Sequence, residues 1–417
     1  MRAGEIHNKE ALQFGRPLDG VRVMALEQMQ ALPVATQLMV RLGAEVVKVE
    51  APGTGESGRA GQPTVKDRSG RENGATFLRN SIGKKSITVD LKSDQGRELI
   101  HGLIPHFDVV CENLGPNRAK KLGIDYETLD RINPRLIYMS ISGFGNMDDS
   151  PYANWPAYAG VAEAMCGAYE YSRRPHQSPI VNPLGGVGDT APGLFGLIGV
   201  LAALRHRDQI GKGQYVDISM FDGMVSMCDF ITEYWSLGFK REPDKKYRSP
   251  NVMEGFRARD GYFMMQISRR HQFERLAKLI GKPEWLTDSR FDSMWGWNDH
   301  LEDVLRPAIE GWASTRTKQE VATTFAESGI VAGPCNSADD VVRDPHVKKR
   351  RMLIEVPREG HDQPLLVAGN PVKMSRVAEG LEKEFPTLGE HNDEMFRGLL
   401  GLDDAKLDAL RKAKVID

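Results

Sequence analysis

The start of this chain carries a strand, a helix and a second strand in immediate succession. Residues 21–26 (VRVMAL) and 44–49 (AEVVKV) are short, mostly apolar runs that predict buried strands. Between them, residues 33–42 place apolar side chains at helical spacing, and Gly43 then ends the predicted helix. A β-α-β unit of this kind joins parallel strands, so the sequence predicts an α/β fold with a parallel sheet.

The same alternation continues along the chain. Further strands of the sheet are predicted at residues 86–90, 108–112, 136–141 and 214–219. Helices are predicted near residues 94–105, 126–132 and 222–237, and a longer one contains the apolar run 194–204 and ends near Arg207. The Gly-rich, polar segment 50–79 is predicted to be a long loop, a type of segment that often carries function.

The pattern changes in the second half of the chain. A charged, Pro-interrupted stretch at residues 240–247 predicts a linker. The α+β elements predicted after it are strands at 261–267, 330–334, 352–356 and 365–367, and helices near 272–280, 300–313, 318–328 and 391–400. With 417 residues, the chain is expected to form more than one domain. We expect a large domain from residues 1–225, a smaller α+β domain from 226–335, and a C-terminal return to the large domain from 336–417.

Composition narrows the class of protein. Apolar residues make up 40% of the chain and charged residues 27%, as in ordinary globular proteins, and a net charge of −2 gives no basic surface for nucleic acid. The four cysteines are far apart and the ten histidines show no metal-ligand spacing, so we expect neither disulfides nor a metal. The polar N-terminus does not resemble a signal peptide, and the apolar run 194–204 is too short to span a bilayer. We therefore expect a cytoplasmic protein without a membrane partner.

A glycine-rich turn holds one carboxylate immediately before the long apolar helix. Its sequence is GGVGDTAPG at residues 185–193, with Asp189 near its centre. Two interpretations are open: Asp189 caps the helix, as Asp often does, or it is a nucleophile beside an open, glycine-lined space. The fragment 186–191 also matches the dinucleotide-binding pattern GxGxxA, although the strand before it would be short and would contain Pro183.

A series of short motifs, taken together, resembles the family III CoA-transferases, which include formyl-CoA transferase and the carnitine CoA-transferases. The motifs are residues 17–23 (PLDGVRV), 35–38 (ATQL), 42–50 (LGAEVVKVE), 90–92 (DLK), 112–113 (EN), 133–137 (NPRLI), 140–145 (SISGFG), 188–189 (GD), 202–204 (AAL), 211–214 (GKGQ), 333–334 (GP), 344–345 (DP) and 388–391 (LGEH). The resemblance implies a Rossmann-like large domain formed by both chain termini, a smaller α+β domain, and a homodimer of interlocked rings.

The same resemblance assigns the chemistry to Asp189. It implies that Asp189 attacks an acyl-CoA thioester, forms a mixed anhydride and then an aspartyl-CoA thioester, and passes CoA to a small carboxylic acid. Gln30 and Tyr158 match an active-site glutamine and tyrosine of formyl-CoA transferase. The expected substrates are therefore CoA thioesters and small carboxylic acids, with no permanently bound cofactor and no metal.

Positions that bind CoA also follow from the resemblance. The residues that match CoA contacts in the family are Met29, Val89, Lys92, Asn113, Leu114 and Lys121. Many members have an arginine directly after Glu50, where this chain has Ala51. The phosphate contact of that arginine is lost unless Arg59 or Lys84 replaces it.

Other functions are weighed against CoA transfer. The related α-methylacyl-CoA racemases carry Gly-His-Asp where this chain has Ala157, Tyr158 and Ala159. A tyrosine hydroxyl ordinarily titrates at about pH 10 and is a poor base for an α-proton, so a racemase or epimerase is the second choice. A non-catalytic CoA- or nucleotide-binding protein and a Rossmann oxidoreductase are the remaining alternatives.

Overall fold

The computed structural model describes residues 1–147, 149–173, 176–238, 251–358 and 362–417, and the predicted linker at 240–247 lies outside these residues. The chain divides into two compact units. The first comprises Met1–Arg173, Ser178–Phe239 and Lys348–Asp417, and the second comprises Arg174–Gln177 and Lys240–Val347. Both ends of the chain thus belong to one unit. The domain boundaries expected from the sequence, at 225/226 and 335/336, stay predictions.

A parallel sheet of six strands forms the centre of the first unit. In chain order the strands are β1 (Arg22–Leu26), β2 (Glu45–Glu50), β3 (Lys85–Thr88), β4 (Val109–Glu112), β5 (Ile137–Ser142) and β6 (Gln214–Ser219). They lie side by side in the order β3-β2-β1-β4-β5-β6. Val23 pairs with Val46 on one side and with Val109 on the other, both in parallel. The strand order reverses between β1 and β4, and ligands of open α/β sheets bind in the crevice at such a point.

Eleven helices of seven residues or more occur in the described ranges. They are α1 (Ala31–Leu42), α2 (Asp94–Leu103), α3 (Tyr126–Ile132), α4 (Ala159–Met165), α5 (Val187–Ile210), α6 (Met220–Met227), α7 (Arg270–Leu279), α8 (Arg306–Ala313), α9 (Lys318–Glu327), α10 (Asn392–Leu400) and α11 (Asp404–Lys412). Shorter helical turns lie at Lys9–Phe14, Ser57–Ala60, Ala75–Arg79, Ile104–His106, Arg118–Lys121, Ala168–Ser172, Phe230–Glu233, Trp235–Leu237, Pro283–Leu286, Ser289–Phe291, Met294–Asp299, Leu301–Leu305, Ala338–Arg343 and Pro345–Lys349.

The sheet of the first unit has an apolar core on each face. Val23 and Ala25 of β1 belong to the core that packs α1 and α5, whereas Met24 and Leu26 belong to the core that packs α2, α3, α10 and α11. Successive side chains of a strand point to opposite faces, so an unbroken apolar run such as β1 is suited to a sheet covered on both sides. The C-terminal helices α10 and α11 thereby complete the unit that the N-terminal strands begin.

Helix α5 is the longest helix, with 24 residues, and by length and composition it is apolar enough to cross a membrane. Half of its apolar stretch is buried within the protein. Val200 and Leu204 belong to the core beneath β1. A helix that is apolar around most of its circumference is also what a buried core helix requires.

The second unit is an α+β structure built on an antiparallel sheet. Its strands are β7 (Val252–Ala258), β8 (Gly261–Ile267) and β9 (Val331–Pro334), with β8 in the centre. Phe273 of α7 stacks on Trp297 with ring centroids 4.7 Å apart, at the centre of an aromatic core. In the first unit, Leu353–Val356 (β10) and Leu365–Ala368 (β11) form a separate antiparallel pair.

Most predicted elements are found within a few residues of their predicted bounds, and two differ. The segment 50–79 is not a plain loop, because Thr64–Lys66 and Glu72–Gly74 form a small hairpin within it. The helix predicted at 222–237 stops after Met227 and continues only as short turns. Strand β7 and helices α4 and α11 were not predicted.

Candidate active site

The N-terminus of α5 forms the centre of the candidate site. Gly186 is its N-cap residue, in the left-handed conformation with φ of 98°, and Asp189 is the third residue of the first turn. The backbone N–H groups of Asp189 and Thr190 both donate to the carbonyl of Gly186, at 3.2 and 3.0 Å. The interpretation of Asp189 as the helix cap is therefore wrong: a glycine caps α5 because the turn needs a positive φ there.

The carboxylate of Asp189 is half-buried, and within the described ranges it accepts no hydrogen bond. Burial, and then the negative charge of Glu163, raise the pKa of Asp189 to about 6. At neutral pH the group is still mostly ionised, but it is more basic than an exposed aspartate. A basic carboxylate without a hydrogen-bond donor is chemically suited to nucleophilic attack.

Gln30 lies beside the same turn. Its side-chain Nε2 donates to the carbonyl of Gly185 at 2.9 Å and lies 3.4 Å from the hydroxyl of Thr190. A Cβ atom on Gly186 would be 3.1 Å from Oδ2 of Asp189 and 3.2 Å from Nε2 of Gln30. The structure therefore brings together Gln30 and Asp189, two residues that the sequence separates by more than 150 positions.

Tyr158 is adjacent to the site through its chain neighbour. Ala159, the first residue of α4, packs so closely on α5 that a Cβ atom on Gly188 would lie 2.5 Å from its carbonyl oxygen. The side chain of Tyr158 itself is 78% exposed. The structure thus places Tyr158 at the edge of the turn, without a described contact to Asp189.

A residue that the sequence did not mark is Glu163 of α4. It is buried, at 2% exposure, and its Oε1 accepts a hydrogen bond of 2.8 Å from the backbone N–H of Gly188. Its Oε2 accepts a hydrogen bond from the hydroxyl of Tyr169. No local motif distinguishes this glutamate, and only the packing of α4 against α5 shows that it faces the Asp189 turn.

A cavity of about 490 Å³ opens at the carboxyl ends of β1, β2 and β3. It is lined by Leu26, Glu27, Gln28, Val49, Glu50, Ala51, Thr54, Gly55, Glu56, Ser57, Ala60, Val89, Asp90, Leu91, Lys92, Leu114 and Leu122. Gln28 in its wall is two residues before Gln30, so one short loop links the cavity to the Asp189 turn. This is the edge of the sheet at which α/β proteins bind their ligands.

The six positions expected to bind CoA lie at this cavity or next to it. Val89, Lys92 and Leu114 line it. Asn113 holds its wall, because its side chain exchanges two hydrogen bonds, of 2.8 and 3.0 Å, with the backbone of Gln28. Met29 follows Gln28 and is partly exposed, and the exposed Lys121 precedes the lining residue Leu122.

A buried ionic network lies beneath the cavity. Glu27 of the β1–α1 loop pairs with the ammonium groups of Lys48 and Lys84, at 2.9 and 2.7 Å. Burial alone would raise the pKa of Glu27, but these two cations outweigh it and lower the pKa to about 2. In the same layer, Arg59 binds both carboxylate oxygens of Glu50, at 2.6 and 2.8 Å. Glu27 and Glu50, two of the carboxylates that line the cavity, are thus paired with cations, which limits their repulsion of an anionic ligand.

This network removes the expected substitutes for the arginine missing at Ala51. Arg59 and Lys84 are both buried and engaged with glutamates, so neither offers a free cation to the cavity. Among the residues that line the cavity in the described ranges, Lys92 is the exposed cation.

The network also holds the loop that carries Gln30. Glu56 accepts hydrogen bonds from the backbone N–H groups of Met29 and Gly58, at 3.1 and 2.7 Å. Met29 has the positive φ of 58° that a non-glycine residue adopts only when its surroundings hold it there. The backbone before Gln30 is therefore fixed by a buried carboxylate.

The glycine turn before α5 does not have the strand that a dinucleotide-binding turn follows. In the described ranges, residues 176–186 before α5 contain no strand. The dinucleotide pattern requires the turn to follow a strand directly.

Comparison with known proteins gives consistent matches over most of the chain. A family model described as CoA-transferase family III matches residues 18–392. The chain is 34% identical over 409 residues to a succinyl-CoA–D-citramalate CoA-transferase from Chloroflexus aurantiacus, across 96% of this chain and 98% of the relative. It is 32% identical over 388 residues to a succinyl-CoA:mesaconate CoA-transferase from Haloarcula hispanica, across 91% and 95% of the two chains. A crystal structure of a CaiB/BaiF family protein from Brucella suis matches with a TM-score of 0.80 and 31% identity, across 92% of this chain and 100% of the other.

Proposed function

The chain belongs to CoA-transferase family III and is an enzyme of that class, and on this premise we propose that it moves CoA from an acyl-CoA to a small carboxylic acid with Asp189 as the nucleophile. The observation that carries the proposal is the carboxylate of Asp189, which stands free of hydrogen bonds in the described ranges beside the side-chain amide of Gln30.

The proposed reaction has two symmetrical halves. The Asp189 carboxylate attacks the thioester carbonyl of the donor, the C–S bond breaks, and a mixed anhydride and CoA thiolate result. The thiolate attacks the aspartyl carbonyl, which releases the donor as a free carboxylate and leaves an aspartyl-CoA thioester. The acceptor carboxylate then attacks this thioester to form a second anhydride, and the returning thiolate yields the new acyl-CoA and restores Asp189. Holding all the partners in one site supplies the effective concentration that a weak nucleophile needs.

Two features stabilise the negative charge that develops on the carbonyl oxygen in these steps. The positive end of the α5 dipole lies at the turn that contains Asp189, and helix N-termini stabilise negative charge. The Gln30 amide donates a hydrogen bond without carrying charge, so it can orient an oxyanion without trapping it as an ion pair. Tyr158 lies at the exposed edge of the turn, and we propose that it contacts the acyl group.

We propose that CoA binds in the cavity at the carboxyl ends of β1, β2 and β3, in a Rossmann-like arrangement. The strand order β3-β2-β1-β4-β5-β6 supports this, because Rossmann sheets have that order and bind nucleotides at this edge. The residues proposed to contact CoA are Met29, Val89, Lys92, Asn113, Leu114 and Lys121. Lys92 would hold a phosphate group, since it is the exposed cation of the lining.

We propose a dicarboxyl-CoA such as succinyl-CoA as the donor. The relatives in Chloroflexus aurantiacus and Haloarcula hispanica are both described as succinyl-CoA-dependent enzymes, and they match this chain over almost its whole length. Citramalate and mesaconate, the C5 dicarboxylates named for these relatives, are the first acceptors to test.

We also propose that the enzyme is a cytoplasmic homodimer of interlocked chains. The apolar residues Leu194, Phe195 and Ile198 on α5 are 44%, 36% and 61% exposed in the single chain. Exposed apolar patches of this kind mark interaction sites, and burial by a second copy would remove them from water. Light scattering coupled to size-exclusion chromatography gives the mass directly.

The experiment that tests the proposed function is a chromatographic assay of CoA transfer. Succinyl-CoA is incubated with mesaconate, citramalate, malate or oxalate in turn, and formation of each new CoA thioester is measured. The proposal predicts transfer to at least one acceptor by the wild type and none by Asp189→Asn. Deuterium uptake at the α-carbon of a 2-methylacyl-CoA without any acceptor would instead identify a racemase.

A further inference from the structure

Glu163 makes a contact that helix α5 cannot make for itself. The N-cap residue Gly186 has no side chain, so the first turn of α5 needs a hydrogen-bond acceptor from elsewhere. Oε1 of Glu163, which comes from α4, accepts the N–H of Gly188 at 2.8 Å. Glu163 is thus the side chain that caps α5.

The capping by Glu163 has a consequence for Asp189. An aspartate in the first turn of a helix commonly uses its carboxylate to accept a backbone N–H. Here the N–H of Gly188 is already bound to Glu163, and the N–H groups of Asp189 and Thr190 are bound to the carbonyl of Gly186. These three N–H groups are thus satisfied without Asp189, and in the described ranges the Asp189 carboxylate accepts no hydrogen bond.

We infer that Glu163 is a positioning residue for the proposed CoA transfer: its carboxylate caps α5 in place of Asp189 and leaves the Asp189 carboxylate free to attack the thioester. This inference rests on the proposed function of Asp189. It assigns a role to a buried glutamate that a purely structural account would treat as a satisfied core group.

The charge of Glu163 adds an electrostatic effect to the capping. Burial and the negative charge of Glu163 both disfavour ionisation of Asp189 and raise its pKa. A more basic carboxylate is the better nucleophile as long as it remains ionised at the working pH. Glu163 thus serves the attack in two ways, through geometry and through charge.

Several groups from neighbouring elements lie around Glu163 and Asp189. Tyr169, from the turn Ala168–Ser172, donates its hydroxyl to Oε2 of Glu163. The thiol of Cys166, the residue directly after α4, donates to the carbonyl of Glu163 at 3.1 Å. Gln30 approaches the Asp189 turn from the loop before α1 and carries no charge. In the described part of the chain, no cationic side chain pairs with Asp189.

The first test is Glu163→Gln, which keeps an acceptor for the Gly188 N–H but removes the charge. We expect the acid limb of the kcat/KM profile to move to lower pH by about one unit. We also expect kcat/KM at pH 8 to fall by about threefold to tenfold, since the nucleophile becomes less basic. A purely structural glutamate would leave the acid limb where it is in the wild type.

The second test is Tyr169→Phe, which keeps the charge of Glu163 and removes the hydroxyl that solvates it. The unshielded charge should move the acid limb to higher pH, opposite to the shift in Glu163→Gln. This variant keeps the inference testable even if Glu163→Gln does not fold. Glu163→Ala removes the acceptor for the Gly188 N–H as well as the charge, so its kcat should fall below that of Glu163→Gln. Equal kcat in these two folded variants would overturn the inference. An unchanged acid limb in both Glu163→Gln and Tyr169→Phe, or in Tyr169→Phe alone if Glu163→Gln is unfolded, would also overturn it.

Activity of Asp189→Asn distinguishes a wrong role for Glu163 from a wrong proposed function. If Asp189→Asn retains turnover, the proposed nucleophile is wrong and the pH profiles have no bearing on it. If Asp189→Asn is inactive and the acid limb does not respond to Glu163 or Tyr169, only the role of Glu163 is wrong. Far-UV circular dichroism of each variant shows whether it is folded.

Discussion

The side-chain amide of Gln30 donates a hydrogen bond of 2.9 Å to the backbone carbonyl of Gly185, and so ties the loop after β1 to the turn before α5. These two loops lie at opposite ends of the N-terminal half of the chain. The loop after β1 also forms the wall of the cavity through Gln28. One hydrogen bond thus joins the proposed CoA-binding region to the proposed nucleophile.

Replacing Gln30 tests this connection. Gln30→Ala should lower kcat by about a hundredfold to a thousandfold, the usual effect of losing one donor at a developing oxyanion. KM for the acyl-CoA should change little, because Gln30 faces the turn rather than the cavity. Gln28→Ala is the matched control, since it alters the cavity wall and should act mainly on KM. Equal effects of the two variants on kcat would contradict the separate roles.

Asp189 should make the fold less stable at neutral pH than an uncharged residue would. Its pKa is raised from 3.8 to about 6, so folding disfavours its ionised form, and stability falls as pH rises from about 4 to about 6. Asp189→Asn should therefore be more stable than the wild type by about 3 kcal/mol at pH 8. This advantage should vanish below about pH 4, where Asp189 is protonated in both states. Urea denaturation at pH 8 and pH 4 measures both differences, and an advantage of equal size at both pH values would contradict the raised pKa.

The ionic network under the cavity should depend strongly on Glu27. Glu27→Gln leaves the ammonium groups of Lys48 and Lys84 buried without their carboxylate. Removing one partner of a buried ion pair ordinarily costs about 3–5 kcal/mol of stability, and we expect a loss of that order. Glu384→Gln breaks an exposed pair with Arg68 and should change stability far less. Similar losses in the two variants would show that burial does not set the strength of the network.

The close approach of α4 and α5 at Gly188 should not tolerate a side chain. In Gly188→Ala, the new Cβ would lie 2.5 Å from the carbonyl oxygen of Ala159, and backbone atoms cannot move aside as a flexible side chain can. The variant should displace the start of α5 and lose most of its activity. Gly160→Ala is the control, because a Cβ at that helical position meets nothing within 4 Å. Comparable activity of both variants would show that this approach does not position Asp189.

The sequence was sufficient for the sheet and for the residues of the turn. Apolar runs such as residues 21–26 mark buried strands directly, and the observed β1 lies within that run. Asp189 could be identified because a carboxylate in a glycine-rich turn before an apolar helix indicates either a helix cap or a nucleophile. Lys92 and Leu114, which were identified from family resemblance, line the cavity that the structure shows.

Other features of the site could not be predicted, because they depend on contacts between segments that are distant in the sequence. Lys84 and Arg59 were considered for phosphate binding because lysine and arginine are usually exposed, but both are held by buried glutamates. Glu163 has no sequence motif, and its role follows only from the packing of α4 on α5. The helical spacing in residues 222–237 did not show where α6 ends, since short irregular turns keep a similar apolar spacing.

Covalent labelling of Asp189 tests the central claim most directly. The protein is mixed briefly with succinyl-CoA without an acceptor, and the intact mass is measured for the wild type, Asp189→Asn and Glu163→Gln. The account predicts a mass gain of one succinyl or one CoA group on the wild type, mapped to the peptide with Asp189, and no gain on Asp189→Asn. An adduct of equal yield on Asp189→Asn, or turnover of succinyl-CoA by that variant, would contradict it.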